Sequence, residues 1–132
     1  MTKIKKKKLN FKDKRGSILD IFQDSPKEHC TIVTFNKNAV RGNHFHKKST
    51  QYTYVMSGQL TFAYVKITKK NDMSGQIKKK TVGPGTLISH PPFHAHAFKS
   101  KKKSIILAFA DGVRGGNNYE KDTFRLEKKL LK

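Results

Sequence analysis

Two pairs of histidines are the side chains of this sequence best suited to chemistry. His44 and His46 are two residues apart, so on an extended strand both imidazoles point to one side. Gln51 follows five residues after His46, and the stretch "SHPPFHAHAF" repeats the spacing with His94 and His96. Imidazole exchanges protons near neutral pH and binds most divalent transition metals. The two pairs therefore indicate proton transfer or metal binding, provided that the fold brings them together.

The elements that would hold these histidines are predicted to be β-strands. Short apolar or alternating segments are separated by turn signals such as "KDKRG", "NDMSG" and "GPG", a pattern typical of a sandwich or barrel. The predicted strands are 17–22, 30–36, 51–57, 59–67, 76–82, 86–89, 94–98 and 104–110. Since no helical crossover separates them, we expect antiparallel sheets that close into a barrel and so protect their edges. Residues 1–8 are assigned to a basic N-terminal tail and 9–132 to a single all-β domain, whose C-terminal "FRLEKKLLK" suits a short helix or a final strand.

Composition excludes several classes of function. The net charge of +20 comes from 29 basic residues of which only four are Arg, and the lysine runs fall in the tail and the predicted turns. Because no nucleic-acid-binding signature is present, we expect no specific nucleic-acid partner. No segment approaches the ~20 apolar residues of a membrane helix, and no apolar run follows "MTKIKKKK" as it would in a secretion signal. Cys30 lies in an apolar run and is expected to be a buried thiol in a reducing cytoplasm.

The two clusters together resemble the two motifs of the cupins, a family of small jelly-roll β-barrels. The matching positions are His44, His46, Gln51 and Gly58 for the first motif, and Pro84-Gly85, Pro91-Pro92 and His96 for the second. The resemblance implies a single-domain cupin β-barrel in which both clusters meet, commonly as a homodimer. Either His94 or His96 could face its interior, and we favour His96. His29 and His90 are expected to be surface or structural histidines.

A narrower resemblance covers nearly the whole chain. The stretches "FKDKRGSILDIF", "VRGNHFHKK" and "NYEKDTFRL" resemble cupins that remodel nucleotide-linked sugars in carbohydrate biosynthesis. One such group is the dTDP-4-dehydrorhamnose 3,5-epimerases, which share Arg-Gly-x-His. A closer one is the dTDP-4-keto-6-deoxyglucose 3,4-ketoisomerases, which share Arg-Gly-x-His-x-His-Lys followed by a Gln.

This resemblance implies an isomerase of a nucleotide-linked 4-keto-6-deoxy sugar that works by histidine-mediated proton transfer and requires no cofactor. His44 and His46 would be catalytic, and the substrate-binding residues would be Arg41, Gln51, Tyr54 and Tyr119. The 3,5-epimerases use a Tyr acid where "SIILAFA" offers Ala108 and Phe109, so epimerase activity is the weaker expectation, unless Tyr54, Tyr64 or Tyr119 substitutes.

Two alternatives remain open. One is a metal-dependent cupin, an oxygenase or isomerase of a small molecule, with a divalent metal (Zn, Fe, Ni or Mn) held by His44, His46, Gln51 and His96. Gln51 stands where metal cupins usually carry Glu, and a neutral amide lowers the metal affinity without forbidding binding. The other is a cupin that binds a small anionic sugar without turning it over.

Overall fold

The computed structural model describes residues 1–111 and 120–132. Their ten strands are β1 Lys3–Lys6, β2 Phe11–Asp13, β3 Gly16–Ile18, β4 His29–Phe35, β5 Val40–Phe45, β6 Gln51–Ile67, β7 Met73–Val82, β8 Thr86–His90, β9 His94–Ala110 and β10 Phe124–Arg125. Every strand pairing is antiparallel. The predicted all-β class is therefore confirmed for this part of the chain. Within these residues, no helix has the length and apolar character needed to span a membrane.

Two long strands, β6 and β9, run through both sheets of the barrel. The first half of β6 pairs with β8 and with the end of β9, which gives sheet I the order β1-β8-β6-β9-β4. The second half of β6 pairs with β7 and with the start of β9, which gives sheet II the order β7-β6-β9-β5-β10. Strands β2 and β3 form a separate hairpin. Two packed antiparallel sheets that share strands in this way form a jelly-roll barrel.

The continuity of β6 and β9 differs from the prediction, which divided each of them into two strands. The pairing of β6 with β9 shifts register several times between Val55 and Leu60. Gly58 lies at these shifts with a φ of 91°, and a side chain there would collide with Ser104 on β9. Glycine therefore lets the strand bend from one sheet into the other without ending.

The lysine-rich segments at the N-terminus and at Lys101–Lys103 lie in strands, whereas the sequence assigned them to a tail and to a turn. Part of the segment 1–8 forms β1, because Ile4 turns inward and packs on the core while the lysines beside it stay exposed. The run Lys78–Lys80 lies in β7 and the run Lys101–Lys103 in β9. Strand β7 is at the edge of its sheet, where lysine stays in water and discourages pairing with another chain.

The prediction that Cys30 is buried is wrong. Cys30 is exposed on β4, and Ile32 on the same strand is 68% exposed. Residues at alternate positions of β4 face outward, and in this chain they leave apolar side chains on the outer face of sheet I.

The main core lies between the two sheets and holds the side chains of Phe35, Val55, Leu60, Phe62, Val82, Ile88, Phe98 and Ile106. A second apolar cluster lies on the outer face of sheet II, where the C-terminal segment covers it. Asn43 of β5 anchors that segment, because its side-chain oxygen accepts the backbone N–H groups of Leu130 and Leu131 at 2.8 and 3.2 Å. The C-terminal residues after β10 thus form neither a helix nor a further strand.

Candidate active site

A β-bulge in β5 brings Arg41 and His44 to the same side of the sheet. The two residues are three positions apart, yet their partners on β9 are two positions apart. Gly42 and Asn43 accommodate the extra residue, and their φ angles of 94° and 55° lie in the left-handed region. A Cβ at Gly42 would lie 2.8 Å from the His96 carbonyl oxygen, so the position requires glycine. The bulge explains why the sequence reads Arg-Gly-x-His.

Three buried imidazoles meet on the inner side of sheet II: His44 and His46 at the end of β5 and His96 of β9. The ring centroid of His44 lies 5.0 Å from that of His46 and 4.8 Å from that of His96. One ring nitrogen from each residue lies within 4.8 Å of the others. His94 is not part of this group, and its Nδ1 lies 3.0 Å from the hydroxyl of Thr2. The structure therefore places His96, and not His94, beside the first pair.

Asp122 fixes both His46 and the loop that follows it. The His46 Nδ1 lies 2.8 Å from the Asp122 carbonyl oxygen, which can only accept, so this nitrogen carries a proton and donates it. The Asp122 carboxylate accepts the backbone N–H groups of Lys47, Lys48 and Ser49. Burial raises the pKa of Asp122, but these hydrogen bonds outweigh the effect and hold the pKa below its ordinary value. The imidazole is thus held by a residue that remains charged at neutral pH.

His90 of β8 is a fourth buried imidazole beside the three, and it was expected to be a surface or structural histidine. Its ring centroid is 4.2 Å from that of His96, and its Nε2 is 2.9 Å from the Thr53 hydroxyl. Burial, reinforced by the neighbouring imidazoles, lowers the pKa of His90 to about 3. Burial also lowers the pKa of His96 well below its ordinary value. Both rings are therefore neutral at pH 7, and each has one nitrogen with a lone pair.

Two of these buried nitrogens, His90 Nδ1 and His96 Nε2, have no hydrogen-bond partner within the part of the chain that the structure describes. The Nδ1 of His96 lies 3.3 Å from the His94 carbonyl oxygen, which places the proton on Nδ1 and leaves the lone pair on Nε2. A buried polar atom without a partner is costly. The lone pair of His96 is therefore suited to a ligand that brings a hydrogen-bond donor or a metal ion.

A cavity of about 700 Å³ opens onto this cluster. His44, Gln51 and His96 are among its lining residues, whereas His46 and His90 lie behind them. Arg41 is at the rim, where its Nε donates to the Thr34 carbonyl at 3.2 Å. The site thus combines neutral imidazoles in its floor with a guanidinium at its entrance.

A smaller groove of about 360 Å³ adjoins the cavity, and both are lined by Arg41 and Arg125. Arg125 donates to the two carboxylate oxygens of Glu120 at 2.7 and 2.9 Å, and this pairing holds the pKa of Glu120 below its ordinary value. Lys129 and Lys132 line the groove as well. With more cations than anions around it, the entrance favours an anionic ligand.

The remaining predicted substrate contacts differ in where the structure places them. Gln51 lines the cavity and lies 3.2 Å from His46 Nε2. Tyr54 lies instead on the outer face of sheet I, because side chains alternate along a strand and its neighbours Thr53 and Val55 are fully buried inside. Tyr119 lies outside the described residues.

Sequence reasoning missed four residues of the site: Thr53, His90, Asp122 and Arg125. His90 had a local signal, since Thr86, Ile88 and His90 alternate along β8 and all three are buried. Asp122 and Arg125 lie in the stretch "NYEKDTFRL", which carried part of the family resemblance, but the contact of Asp122 with the imidazole is made by a backbone carbonyl that every residue type possesses.

Comparison with known proteins defines the class. The sequence profile of the family described as Cupin matches residues 29–129. The chain therefore belongs to the cupin family, as the resemblance of its two histidine motifs indicated. No curated protein sequence matches the chain.

Several solved structures share its fold. The dTDP-4-dehydrorhamnose 3,5-epimerase from Sulfolobus tokodaii is 23% identical with a TM-score of 0.74, over 87% of this chain and 72% of its own. The sugar 3,4-ketoisomerase QdtA from Thermoanaerobacterium thermosaccharolyticum, in complex with TDP, is 20% identical with a TM-score of 0.75, over 96% and 88%. The 3,5-epimerase RmlC from Legionella pneumophila, in complex with dTDP-4-keto-L-rhamnose, is 16% identical with a TM-score of 0.77, over 95% and 72%. At these identities the likeness is one of fold.

Proposed function

We propose that this cupin is an isomerase that moves the carbonyl group of a nucleotide-linked 4-keto-6-deoxy sugar from C4 to C3. The observation that carries the proposal is the cavity lined by His44, His96 and Gln51, with Arg41 and Arg125 at its entrance. The imidazoles suit proton transfer at neutral pH, and the guanidinium groups suit a diphosphate.

The reaction needs only proton transfers. A base removes the proton from C3, and the electron pair of the C–H bond forms the C3–C4 double bond of an enediolate. Protonation at C4, together with loss of the C3 hydroxyl proton and gain of a proton by the C4 oxygen, then leaves a ketone at C3 and a hydroxyl at C4, so nothing is oxidised or reduced overall. His44 reaches the cavity directly, and His46 carries its proton on Nδ1, which leaves Nε2 as the basic nitrogen. We assign the two proton-transfer steps to this pair.

Ketoisomerase activity is favoured over epimerase activity by the cavity wall. The C-terminal part of β9 lines the cavity with Ile106, Ala108, Phe109 and Ala110, and none of these side chains can donate a proton. An epimerase of the kind that uses a Tyr acid on this strand would lack its donor. The fold neighbours include both classes, and one ketoisomerase structure is described as a complex with TDP-4-keto-6-deoxyglucose.

The test is hydrogen exchange in deuterated water with a dTDP-4-keto-6-deoxy sugar, followed by NMR or mass spectrometry at C3 and C4. Wild type should incorporate deuterium, and His44→Ala or His46→Ala should lose about 10²–10⁴-fold in rate, as is typical of a lost general base. His94→Ala is the matched control, because this histidine lies outside the group of His44, His46 and His96 and contacts Thr2 instead. If wild type exchanges deuterium into none of the keto-sugar nucleotides tried, the proposal is overturned. Binding of such a sugar without exchange would indicate a sugar-binding cupin.

A metal-dependent cupin is the second candidate, and the grouping of His44, His46 and His96 favours it. Their ligand atoms lie within 4.8 Å of one another. Metal–nitrogen bonds of about 2.1 Å would require each ring to move by less than about 1 Å toward an ion placed between the three nitrogens. The Nε2 of His96, which has no partner among the described residues, suits such a role, with Gln51 as a neutral fourth ligand. A bound Zn, Fe, Ni or Mn ion would polarise a substrate oxygen.

Metal analysis separates this candidate from a metal-free isomerase. His96→Ala should empty a metal site and His94→Ala should not, because only the first ring belongs to the group of three possible ligands. Gln51→Glu should tighten the site by adding a negative charge. Purified wild type that takes up none of the four metals would rule out the second candidate.

We also propose that the chain forms a homodimer through the outer face of sheet I. Cys30, Ile32, Met56 and Ile105 are exposed on this side, with Ile32 68% and Met56 50% exposed. An apolar face of this kind is typical of an interface. Ile32→Glu should shift sedimentation toward the monomer, whereas Gln76→Glu on the edge strand β7 should not. A free thiol at Cys30 suits a reducing compartment, and we place the reaction in the cytoplasm.

A further inference from the structure

A row of four hydrogen-bonded side chains runs from the cavity floor into the core. The His46 Nε2 lies 3.2 Å from the Gln51 Oε1, the Gln51 Nε2 lies 3.2 Å from the Thr53 hydroxyl, and that hydroxyl lies 2.9 Å from the His90 Nε2. His46, Thr53 and His90 are each at most 1% exposed. Water therefore does not compete for these contacts, and each donor must be matched to an acceptor.

The direction of every bond in the row follows from its first member. The Asp122 carbonyl only accepts, so neutral His46 carries its proton on Nδ1 and a lone pair on Nε2. A lone pair needs a donor, so the Gln51 amide must present its N–H group to His46. The structure places the amide oxygen toward His46 and the amide nitrogen toward Thr53, but the two contacts have the same length, so exchanging the two atoms leaves the geometry unchanged.

The same reasoning continues to the end of the row. With its N–H group on His46, the Gln51 amide turns its oxygen to Thr53, whose hydroxyl donates to it. The Thr53 oxygen then accepts from His90 Nε2–H. The His90 proton is thereby placed on Nε2, and its Nδ1 keeps the lone pair, which is the buried atom without a partner among the described residues.

We propose that Thr53 and His90 are positioning residues that hold the Gln51 amide with its N–H group toward His46, and so keep His46 Nε2 free of a proton. With the amide reversed, its oxygen would face His46 and favour a protonated Nε2, which cannot act as a base. The assignment of this base rests on the proposed function, whereas the direction of the hydrogen bonds does not. In many proteins the tautomer of a functional histidine is fixed by hydrogen bonds from residues that do not themselves contact the ligand.

The test of the bond directions is a ¹⁵N NMR measurement of the histidine ring nitrogens, on the whole chain without substrate. Wild type should show His46 protonated on Nδ1 alone and His90 protonated on Nε2 alone. Each signal is assigned through the couplings that connect a ring to the backbone of its own residue. Since this measurement needs only the native protein, it tests the proposal even if a core variant does not fold. His90 protonated on Nδ1, or His46 protonated on Nε2, would overturn the proposal.

Variants at Thr53 test the positioning role. Thr53→Ser keeps the hydroxyl and should keep both tautomers, whereas Thr53→Val has nearly the same shape and removes the link. In Thr53→Val the His46 Nε2 signal should shift and His90 should gain the Nδ1–H tautomer. Exchange into the sugar should fall about 10–100-fold, the usual effect of an outer-shell partner.

The outcomes are distinguishable. An unchanged His46 signal in folded Thr53→Val would contradict the positioning role even if the proposed isomerase is correct. If no keto-sugar is turned over but the tautomers and their response to Thr53→Val are as stated, the proposed function fails and the hydrogen-bonded row remains.

Discussion

Replacing Gly42 with alanine tests whether the β5 bulge assembles the histidine cluster. Gly42 and Gly75 have nearly equal φ angles, 94° and 88°, so alanine at either position is strained by about 1–2 kcal/mol. A Cβ at Gly75 has nothing within 4 Å, whereas one at Gly42 lies 2.8 Å from the His96 carbonyl and 3.1 Å from the Ala97 Cα. Overpacking of this kind adds typically about 1–3 kcal/mol.

We therefore expect Gly75→Ala to cost about 1–2 kcal/mol and Gly42→Ala about 2–5 kcal/mol. For a chain of this size each kcal/mol lowers the melting temperature by about 4 °C. Urea unfolding followed by circular dichroism measures both variants. Because the clash is with the backbone of His96, Gly42→Ala should also weaken catalysis or metal uptake in the protein that remains folded.

Equal destabilisation by the two substitutions would refute this reasoning, since it would mean that β5 and β9 do not approach closely at Gly42. Full activity in a folded Gly42→Ala variant would show that the bulge does not control where His44 points. The difference between the variants is more informative than either value, because the shared strain cancels.

Two further predictions concern residues that hold the site and the sheet. Asp122→Ala should cost about 1–3 kcal/mol at pH 7, because it leaves three backbone N–H groups without their acceptor. Folding lowers the pKa of Asp122. Its contribution to the free energy of unfolding is therefore fully present above the pKa that it has in the unfolded chain, and it is lost as the pH falls through the pKa that it has in the folded protein. The gap between wild type and variant in urea unfolding should therefore shrink toward pH 3, and a gap that grows there would contradict the assignment. Lys27 lies 5.0 and 4.3 Å from the ring centroids of Phe22 and Tyr52, and its side chain is 8% exposed. Lys27→Met should lower the free energy of unfolding by about 1 kcal/mol, and Lys27→Ala should lower it more, since only the second loses the packing of the aliphatic stem. Equal losses in urea unfolding would show that the packing of the stem contributes nothing.

Local sequence patterns predicted much of the fold because they depend on near neighbours. Alternating apolar residues and glycine-containing turns marked β4, β7 and β8 within a few residues of their observed bounds. The spacing of His44 and His46 placed both rings on one side, as observed. The same patterns divided β6 and β9 in two, because bends at bulges resemble turns when the partner strand is not known.

The composition of the site depends on how the strands pack in three dimensions. Whether His94 or His96 joins the cluster depends on the register of β9 against β5, which pairs His96 with His44, because residues two apart on a strand face the same side. His90 and His96 belong to different strands, and their rings come within 4.2 Å only because the chain folds β8 and β9 against each other. Tyr54 was assigned to the site by residue type, but the alternation of a strand whose Thr53 is buried places it outside.

Residue order alone was enough to predict a barrel of short antiparallel strands with histidines placed for proton transfer or metal binding. Those properties follow from periodicity and side-chain chemistry, which are local. Two features of the site required the folded chain: Arg41 and His44 share a side through a bulge, and the Asp122 carbonyl fixes the proton of His46. Both depend on contacts between residues far apart in the chain, and a backbone carbonyl leaves no trace in the sequence because every residue has one.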